Sequence, residues 1–277
     1  MKHNLTIIIL IALMFLASHL VGLVIINNYL PKKLATGEVI EKKLPYNIER
    51  PPLEEKTSYI PIFITILFAT ILALVLIKFK ALLLWKIWFF ISITLTLGIA
   101  LSAFINQIYA LILAIILALV KLFKPQVIIN NIIEIFIYGG LGSIFVPLFN
   151  ISSIIIFLFL ISLYDAYAVF KSKHMIKLAK FQTKAKIFTG ISLPYKPGKG
   201  KKVTTAILGG GDIGFTLFFS GVILKEFNIV AAIITSFIIT LSLIVIFILG
   251  KKGKFYPAMP ILSLGCLIGY LVVKFLL

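Results

Sequence analysis

Acidic side chains are scarce in this sequence. Nine of its 277 residues are Asp or Glu against 27 Lys and Arg, and all charged residues together make up 13%. That is about half the charged share of an ordinary soluble domain, which argues against a soluble fold with a solvated charged surface. Cysteine occurs once, at Cys266 inside an apolar run, so neither an intrachain disulfide nor a cysteine-rich metal site is available. The histidines are His3, His19 and His174, scattered along the chain with no His-Glu-x-x-His helix, so zinc-based proteolysis lacks its ligands. A nucleophilic serine needs a paired base. Ser143, which follows Gly140, Leu141 and Gly142, has no membrane histidine near it, and the glycines there read as helix packing.

Apolar residues fill the space, at 61% of the chain. A membrane span needs roughly 20 largely apolar residues, and nine such runs can be read, at approximately 5–26, 59–77, 82–103, 107–123, 127–148, 153–170, 204–223, 228–249 and 257–276. The expected fold class is therefore all-α, a polytopic membrane protein with nine transmembrane helices. The first run is too long for a signal-peptide core and lacks a convincing small-residue cleavage site, so it is expected as a retained helix. Lys86 sits near one end of the third run, where its stem can snorkel to the interface. Residues 121–125 read as a tight turn between the fourth and fifth runs.

Three parts follow. Residues 1–170 form an amino-terminal membrane part with helices one to six and a polar loop at 27–58, which Pro31, Pro45, Pro51 and Pro52 punctuate. Residues 171–203 form a basic loop with ten lysines and no acid, and residues 204–277 hold helices seven to nine. Within the basic loop Met175, Ile176, Leu178, Ala179 and Phe181 alternate with lysines. That pattern fits a surface-lying amphipathic segment as well as a flexible linker, with Gly198 and Gly200 near its end.

The net charge of +18 lies in the gaps between apolar runs. That distribution suits anionic lipid headgroups and topology signals, not nucleic acid. Assigned to alternating sides, 18 basic residues share the side of the amino terminus and 8 the opposite one. The basic excess marks the cytoplasmic side, so the amino terminus is expected in the cytoplasm and the carboxyl terminus outside.

Three acids remain within the spans: Glu134, Asp165 and Asp212. A carboxylate at membrane depth costs at least ~2.5 kcal/mol on insertion scales, which makes each a candidate functional residue. For Glu134, with Asn130 and Asn131 as polar company, a structural role is as good a reading. Asp165 and Asp212 lie on consecutive, antiparallel helices at depths of very roughly 9 and 15 Å from the same boundary. Two carboxylates a few Å apart cannot both ionise easily and hold one proton between them. Such a pair is equipped for aspartyl proteolysis, one member taking a proton from water while the other donates to the carbonyl oxygen.

The flanking residues sharpen this. Gly209, Gly210 and Gly211 precede Asp212, removing side chains where another backbone must approach, and Gly210 with Gly214 forms a small-xxx-small pair. The ninth run opens Pro257, Ala258, Met259, Pro260. Together these residues resemble the presenilin and signal peptide peptidase family, which carries Tyr-Asp in its sixth helix, Gly-x-Gly-Asp in its seventh and Pro-Ala-Leu at its ninth. The counterparts here are Tyr164 with Asp165, Gly209 to Asp212, and Pro257 to Met259, with methionine standing for leucine as a volume-conserving exchange.

The resemblance implies that Asp165 and Asp212 are the catalytic pair, with Tyr164, Gly209, Gly210, Gly211, Pro257, Ala258 and Met259 shaping the site or holding substrate. It implies no cofactor and no metal. Substrates would be transmembrane segments of proteins or signal peptides, unwound and added as a β-strand so that their backbone stays satisfied in lipid. The expected amino-terminal side matches presenilins; signal peptide peptidases are inverted. Prepilin-type peptidases share Gly-x-Gly-Asp, but the nine-span layout and the Pro-Ala motif speak against them. The rival reading is an ion or proton-coupled transporter or leak channel using the same acids, although no clear repeat relates the two halves. A non-catalytic scaffold would leave the costly acids unexplained. Membrane lipids are expected partners and nucleic acid is not. Accessory subunits and the oligomeric state stay open, and Gly265-x-x-x-Gly269 fits internal packing or a partner helix equally.

Overall fold

The computed structural model describes residues 4–33, 39–40, 42–172, 188–196, 203–250 and 256–276. Nine α-helices run among them: α1 Leu5–Tyr29, α2 Tyr59–Lys78, α3 Leu82–Leu101, α4 Gln107–Phe123, α5 Val127–Phe145, α6 Ile151–Phe170, α7 Gly210–Glu226, α8 Ile229–Leu249 and α9 Met259–Leu276. Two short antiparallel pairs accompany them, β1 (Lys32–Lys33) with β2 (Val39–Ile40), and β3 (Gly190–Tyr195) with β4 (Thr204–Gly209). Seven of the helices are long and apolar enough to cross a membrane. The exceptions, α4 and α7, have 17 residues each.

Every expected span corresponds to one helix, with one substantial difference. Residues 204–209, read as the start of the seventh span, form a strand, and α7 begins only at Gly210. The local sequence explains why. Thr204, Thr205 and Ile207 are β-branched, and burial alternates along the segment, with Ala206 and Leu208 buried while Thr205 and Ile207 are exposed. That is the two-residue period of a strand. The helix begins among the following glycines, at Gly210, and as poor helix formers they do not favour extending it further back. At the ninth span the helix starts at Met259, two residues later than expected. The interleaved segment at 175–181, Gly198 and Gly200 lie outside the described residues.

The core is built around α1, which packs against α5, α7 and α8 and buries Phe15, Leu23 and Ile26 completely. His19 is the polar centre of that packing. Its Nε2 lies 3.1 Å from Thr216 Oγ1 in α7 and its Nδ1 lies 3.2 Å from Ser236 Oγ in α8. The Thr216 hydroxyl donates to the Asp212 carbonyl at 2.6 Å, so its oxygen is left to accept from His19 Nε2–H. The histidine thus joins three helices with its ring nitrogens satisfied, as lipid surroundings require.

Glycines set the closest approaches. A side chain on Gly140 would run into the backbone carbonyl of Thr96, so α3 and α5 meet main chain to main chain. Gly265 and Gly269 face Ser242 and Thr235 of α8, which assigns that pair to internal packing. The segment from Lys42 to Ser58 closes one end of the bundle. Arg50 donates to the carbonyls of Tyr29 (2.9 Å) and Ser143 (3.3 Å), tying down the last turns of α1 and α5. Lys225, near the end of α7, pairs with Glu55 at 2.8 Å and donates to the Phe149 carbonyl. The ends of α1, α5 and α7 therefore share this face, and the end of α6 and the start of α7 lie at the opposite one.

The Gly140 contact can be tested. Overpacking costs typically about 1–3 kcal/mol, and Gly140→Ala is expected to destabilise the detergent-solubilised protein by that order. An unchanged unfolding midpoint would contradict the close approach of α3 and α5.

Candidate active site

Asp165 stands in the last turns of α6 and Asp212 in the first turn of α7. Both side chains are half-buried, and Asp212 lies within electrostatic reach of the Asp165 carboxylate. Each is held by backbone amides at the start of a helix. Asp165 Oδ2 accepts from Met259 N–H at 3.1 Å, and the Ala258 amide makes a second contact. These belong to the Pro257-Ala258-Met259 segment that leads into α9, where the Ala258 and Met259 amides have no intrahelical acceptors. Asp212 is the third residue of α7, whose N-cap is Gly209. Its carboxylate turns back toward Gly209, whose N–H favours its charged form, in the sense of the N3-to-N-cap half of a capping box. The depth expected from an unbroken span, about 15 Å at 1.5 Å per residue, does not apply, because the helix starts only two residues before the acid.

A side chain at Gly209 would press on the Asp212 carboxylate. A Cβ there would come within 3.2 Å of Asp212 Oδ2. Gly210 faces α5, where a Cβ would lie 2.7 Å from the Tyr138 hydroxyl, and Gly214 receives the same ring one turn on. The small-xxx-small pair is therefore a notch for Tyr138. Tyr164 packs edge-on against Phe63 of α2, ring centroids 6.4 Å apart, so α2 touches α6 beside Asp165. One turn below, Ser162 and Ser263 are joined at 2.8 Å and keep α9 against α6.

The β3–β4 pair runs directly into this site. Its register opposes Ser192 to Ile207 and Gly190 to Gly209. Ser192 gives its N–H and C=O to the Asn131 side chain of α5 (3.0 and 2.9 Å) and not to β4. It therefore occupies a non-hydrogen-bonded position of the ladder. By the same alternation, Ile207 and Gly209 turn their N–H and C=O groups to the outer edge of β4. That is the edge on which Asp212 takes the Gly209 amide. One edge of the hairpin is sealed by α5, and the other opens beside Asp212.

Glu134 has company that its sequence neighbours do not reveal. Its two carboxylate oxygens are taken by Lys121 Nζ of α4 and by the hydroxyl of Tyr138, and Lys121 also donates to Asn130 Oδ1 at 2.6 Å. Both members of the ion pair are almost completely buried, at 2% and 1% side-chain exposure. Lys121, expected in a surface turn, is in the last turns of α4 and faces inward. The available signal was a lone lysine and a lone membrane acid of opposite sign on consecutive helices. Glu134 and Tyr138 also wall a cavity of about 290 Å³ between α3, α5 and α7, opposite Phe89, Gly210, Gly214 and Phe215. A larger cavity, about 800 Å³, lies between the 42–55 segment and Lys225, at the far face from the acids. Among the described residues no cluster of three or more His, Cys, Asp or Glu side chains suits a metal ion.

The sequence matches the signal-peptide peptidase, presenilin aspartyl protease family over residues 21–277. The chain belongs to that family. It is an integral membrane protein and an intramembrane aspartic endopeptidase by membership, which selects the protease over the transporter reading. Two solved structures share the fold, both described as a presenilin family intramembrane aspartate protease. The form in space group C222 superposes with a TM-score of 0.64 at 19% identity, covering 98% of this chain and 99% of that one. The form in P2 gives a TM-score of 0.65 at 19% identity, covering 96% and 97%. A comparison with curated protein sequences gave no match. The expected all-α, presenilin-like polytopic fold is thereby borne out.

The buried pair yields a stability prediction. Removing one partner of a buried ion pair costs roughly 3–5 kcal/mol, whereas replacing both by apolar or neutral groups is often close to neutral. Lys121→Met should therefore lower stability by that order in chemical unfolding, and adding Glu134→Gln should recover most of it. A double variant as unstable as the single one would contradict the pairing.

Proposed function

We propose that Asp165 and Asp212 are the catalytic acids of an endopeptidase that cuts within transmembrane segments of membrane proteins or signal peptides. The observation that carries this reading is that Asp165 near the end of α6 and Asp212 at the start of α7 lie within electrostatic reach of one another beside the open edge of β4. One proton is shared between them. The ionised member takes a proton from water as the water oxygen bonds to the scissile carbonyl carbon, and the protonated member donates to the carbonyl oxygen. The resulting tetrahedral diol collapses when the amide nitrogen receives a proton and the C–N bond breaks. The products are a new carboxyl terminus and a new amine, and the pair returns with its single proton.

A substrate helix has its amides and carbonyls engaged and must unwind first. Ile207 offers outward N–H and C=O groups on β4, so the unwound segment adds there as a third strand with its hydrogen bonds restored. Gly210 and Gly211 leave room for that backbone. The excess of basic residues on one side of the chain supports a cytoplasmic amino terminus, and with it substrates whose amino terminus is outside. Lipid headgroups facing the lysine-rich segments are the further partners.

Cleavage of a transmembrane peptide by the purified protein in liposomes tests this. General acid–base catalysis contributes roughly 10²–10⁴-fold, and Asp165→Ala or Asp212→Ala should each lose at least that much. Cleavage undiminished in either variant would sink the assignment. Equal cleavage of substrates in both orientations would remove the topological part alone.

A further inference from the structure

The proposed mechanism uses β4 and Asp212 but leaves unexplained a polar stripe on the neighbouring helix. Asn131, Glu134 and Tyr138 follow one another at i, i+3 and i+7 on α5, one face of a helix. All three are buried, and each does something different. Asn131 binds the N–H and C=O of Ser192 (3.0 and 2.9 Å), as a neighbouring strand would. Tyr138 fills the notch at Gly210, the first residue of α7. Glu134, fixed by Lys121 from α4, accepts the Tyr138 hydroxyl and so sets where that ring lies.

We propose that this stripe is a register clamp, with Asn131 as a positioning residue that sets where along the substrate the cut is made. The inference rests on the function proposed above. β4 enters α7 at its Gly209 end and is packed into the core through Ala206 and Leu208. Its ladder partner is β3, and β3 in turn is held at Ser192 by Asn131. The same contact occupies the β3 edge, so an incoming strand has one place to add, the edge that carries Asp212. Without Asn131 two things change together. β3 is no longer fixed at Ser192 against α5, and the Ser192 N–H and C=O lose their partner. Substrate register against Asp212 then has alternatives. Side chains alternate faces along a strand, so a slip of one residue is penalised and slips of about two residues are favoured.

The experiment maps the cut sites of one transmembrane peptide by mass spectrometry, using the full-length protein in liposomes. Asn131→Leu retains the approximate shape and removes both hydrogen bonds. It is expected to redistribute the products toward bonds about two residues from the wild-type site. Asn131→Asp keeps the acceptor for Ser192 N–H but loses the donor to its carbonyl, and should redistribute them less. Gly269→Ala, which loosens α9 against α8, shows what lost stability alone does to the products, and should lower the yield without moving the cut. An Asn131→Leu variant that retains the wild-type product distribution overturns the clamp, whatever its total activity.

Hydrogen exchange at the Ser192 amide gives an independent readout. Faster exchange in Asn131→Leu than in wild type is expected, and equal protection would also overturn the clamp. A wild-type protein that cleaves nothing would refute the function proposed above. The exchange measurement would still decide whether Asn131 holds β3.

Discussion

A helix that starts within a membrane protein leaves its first amides without intrahelical acceptors, and hydrocarbon offers them nothing in exchange. An acid at the same depth has the opposite need. Here the two are matched: the amides leading into α9 meet Asp165, with Met259 N–H at 3.1 Å, and the N-cap amide of α7 meets Asp212. Helix starts also carry partial positive charge, which favours a carboxylate beside them. The rest of this end of the bundle follows from that matching. The segment before α9 has to stay non-helical through Pro257 and Ala258 so that its amides point at α6. The Ser162–Ser263 contact one turn away keeps α9 at the distance those amides need.

The strand before α7 belongs to the same logic. If residues 204–209 continued α7 backwards, Gly209 N–H would bond to the carbonyl of Thr205 and would be lost to Asp212. An extended β4 frees it, and the ladder register then turns the same edge of the strand, with Ile207, toward the site. The glycines allow this in two ways. They break the helix where it must begin, and at Gly209 the missing Cβ leaves the carboxylate its return path, since an added Cβ would lie 3.2 Å from Asp212 Oδ2. A site able to accept an unwound backbone is thereby built without an exposed loop in lipid.

Much of this was legible from residue types alone. Long apolar runs locate the helices because lipid admits few alternatives, and Asp165 and Asp212 stand out because a membrane acid is expensive. What escaped were features that depend on contacts across the bundle. The run at 204–223 is apolar throughout its first six residues, apart from its threonines, and hydropathy does not distinguish a strand from the start of a helix. Its two-residue alternation of burial becomes visible only once β3 and the helices are packed around it. Lys121 looked like a turn residue because it is close to Pro125. Its stem carries the ammonium inward instead, to a Glu134 that had seemed to lack a charged partner. His19 similarly gave no sign of its role, since its partners Thr216 and Ser236 lie some two hundred residues further along the chain.

The buried pair of Lys121 and Glu134 bears on what kind of constraint this fold is under. A buried ion pair is weak support for stability, because desolvation offsets most of the attraction and apolar replacements of both partners are often as stable. Its presence is better explained by geometry than by strength. Lys121 and Tyr138 occupy separate oxygens of Glu134, so the carboxylate has one orientation that satisfies both, and that orientation fixes the ring seated against Gly210. An apolar cluster in the same place would pack with several near-equivalent rotamers and leave the start of α7 with corresponding freedom. Displacing Gly210 displaces Asp212 two residues on, within the same helical turn. The polar face of α5 is thus costly where stability alone is concerned, and it is placed where a small displacement of α7 would be felt at the acid.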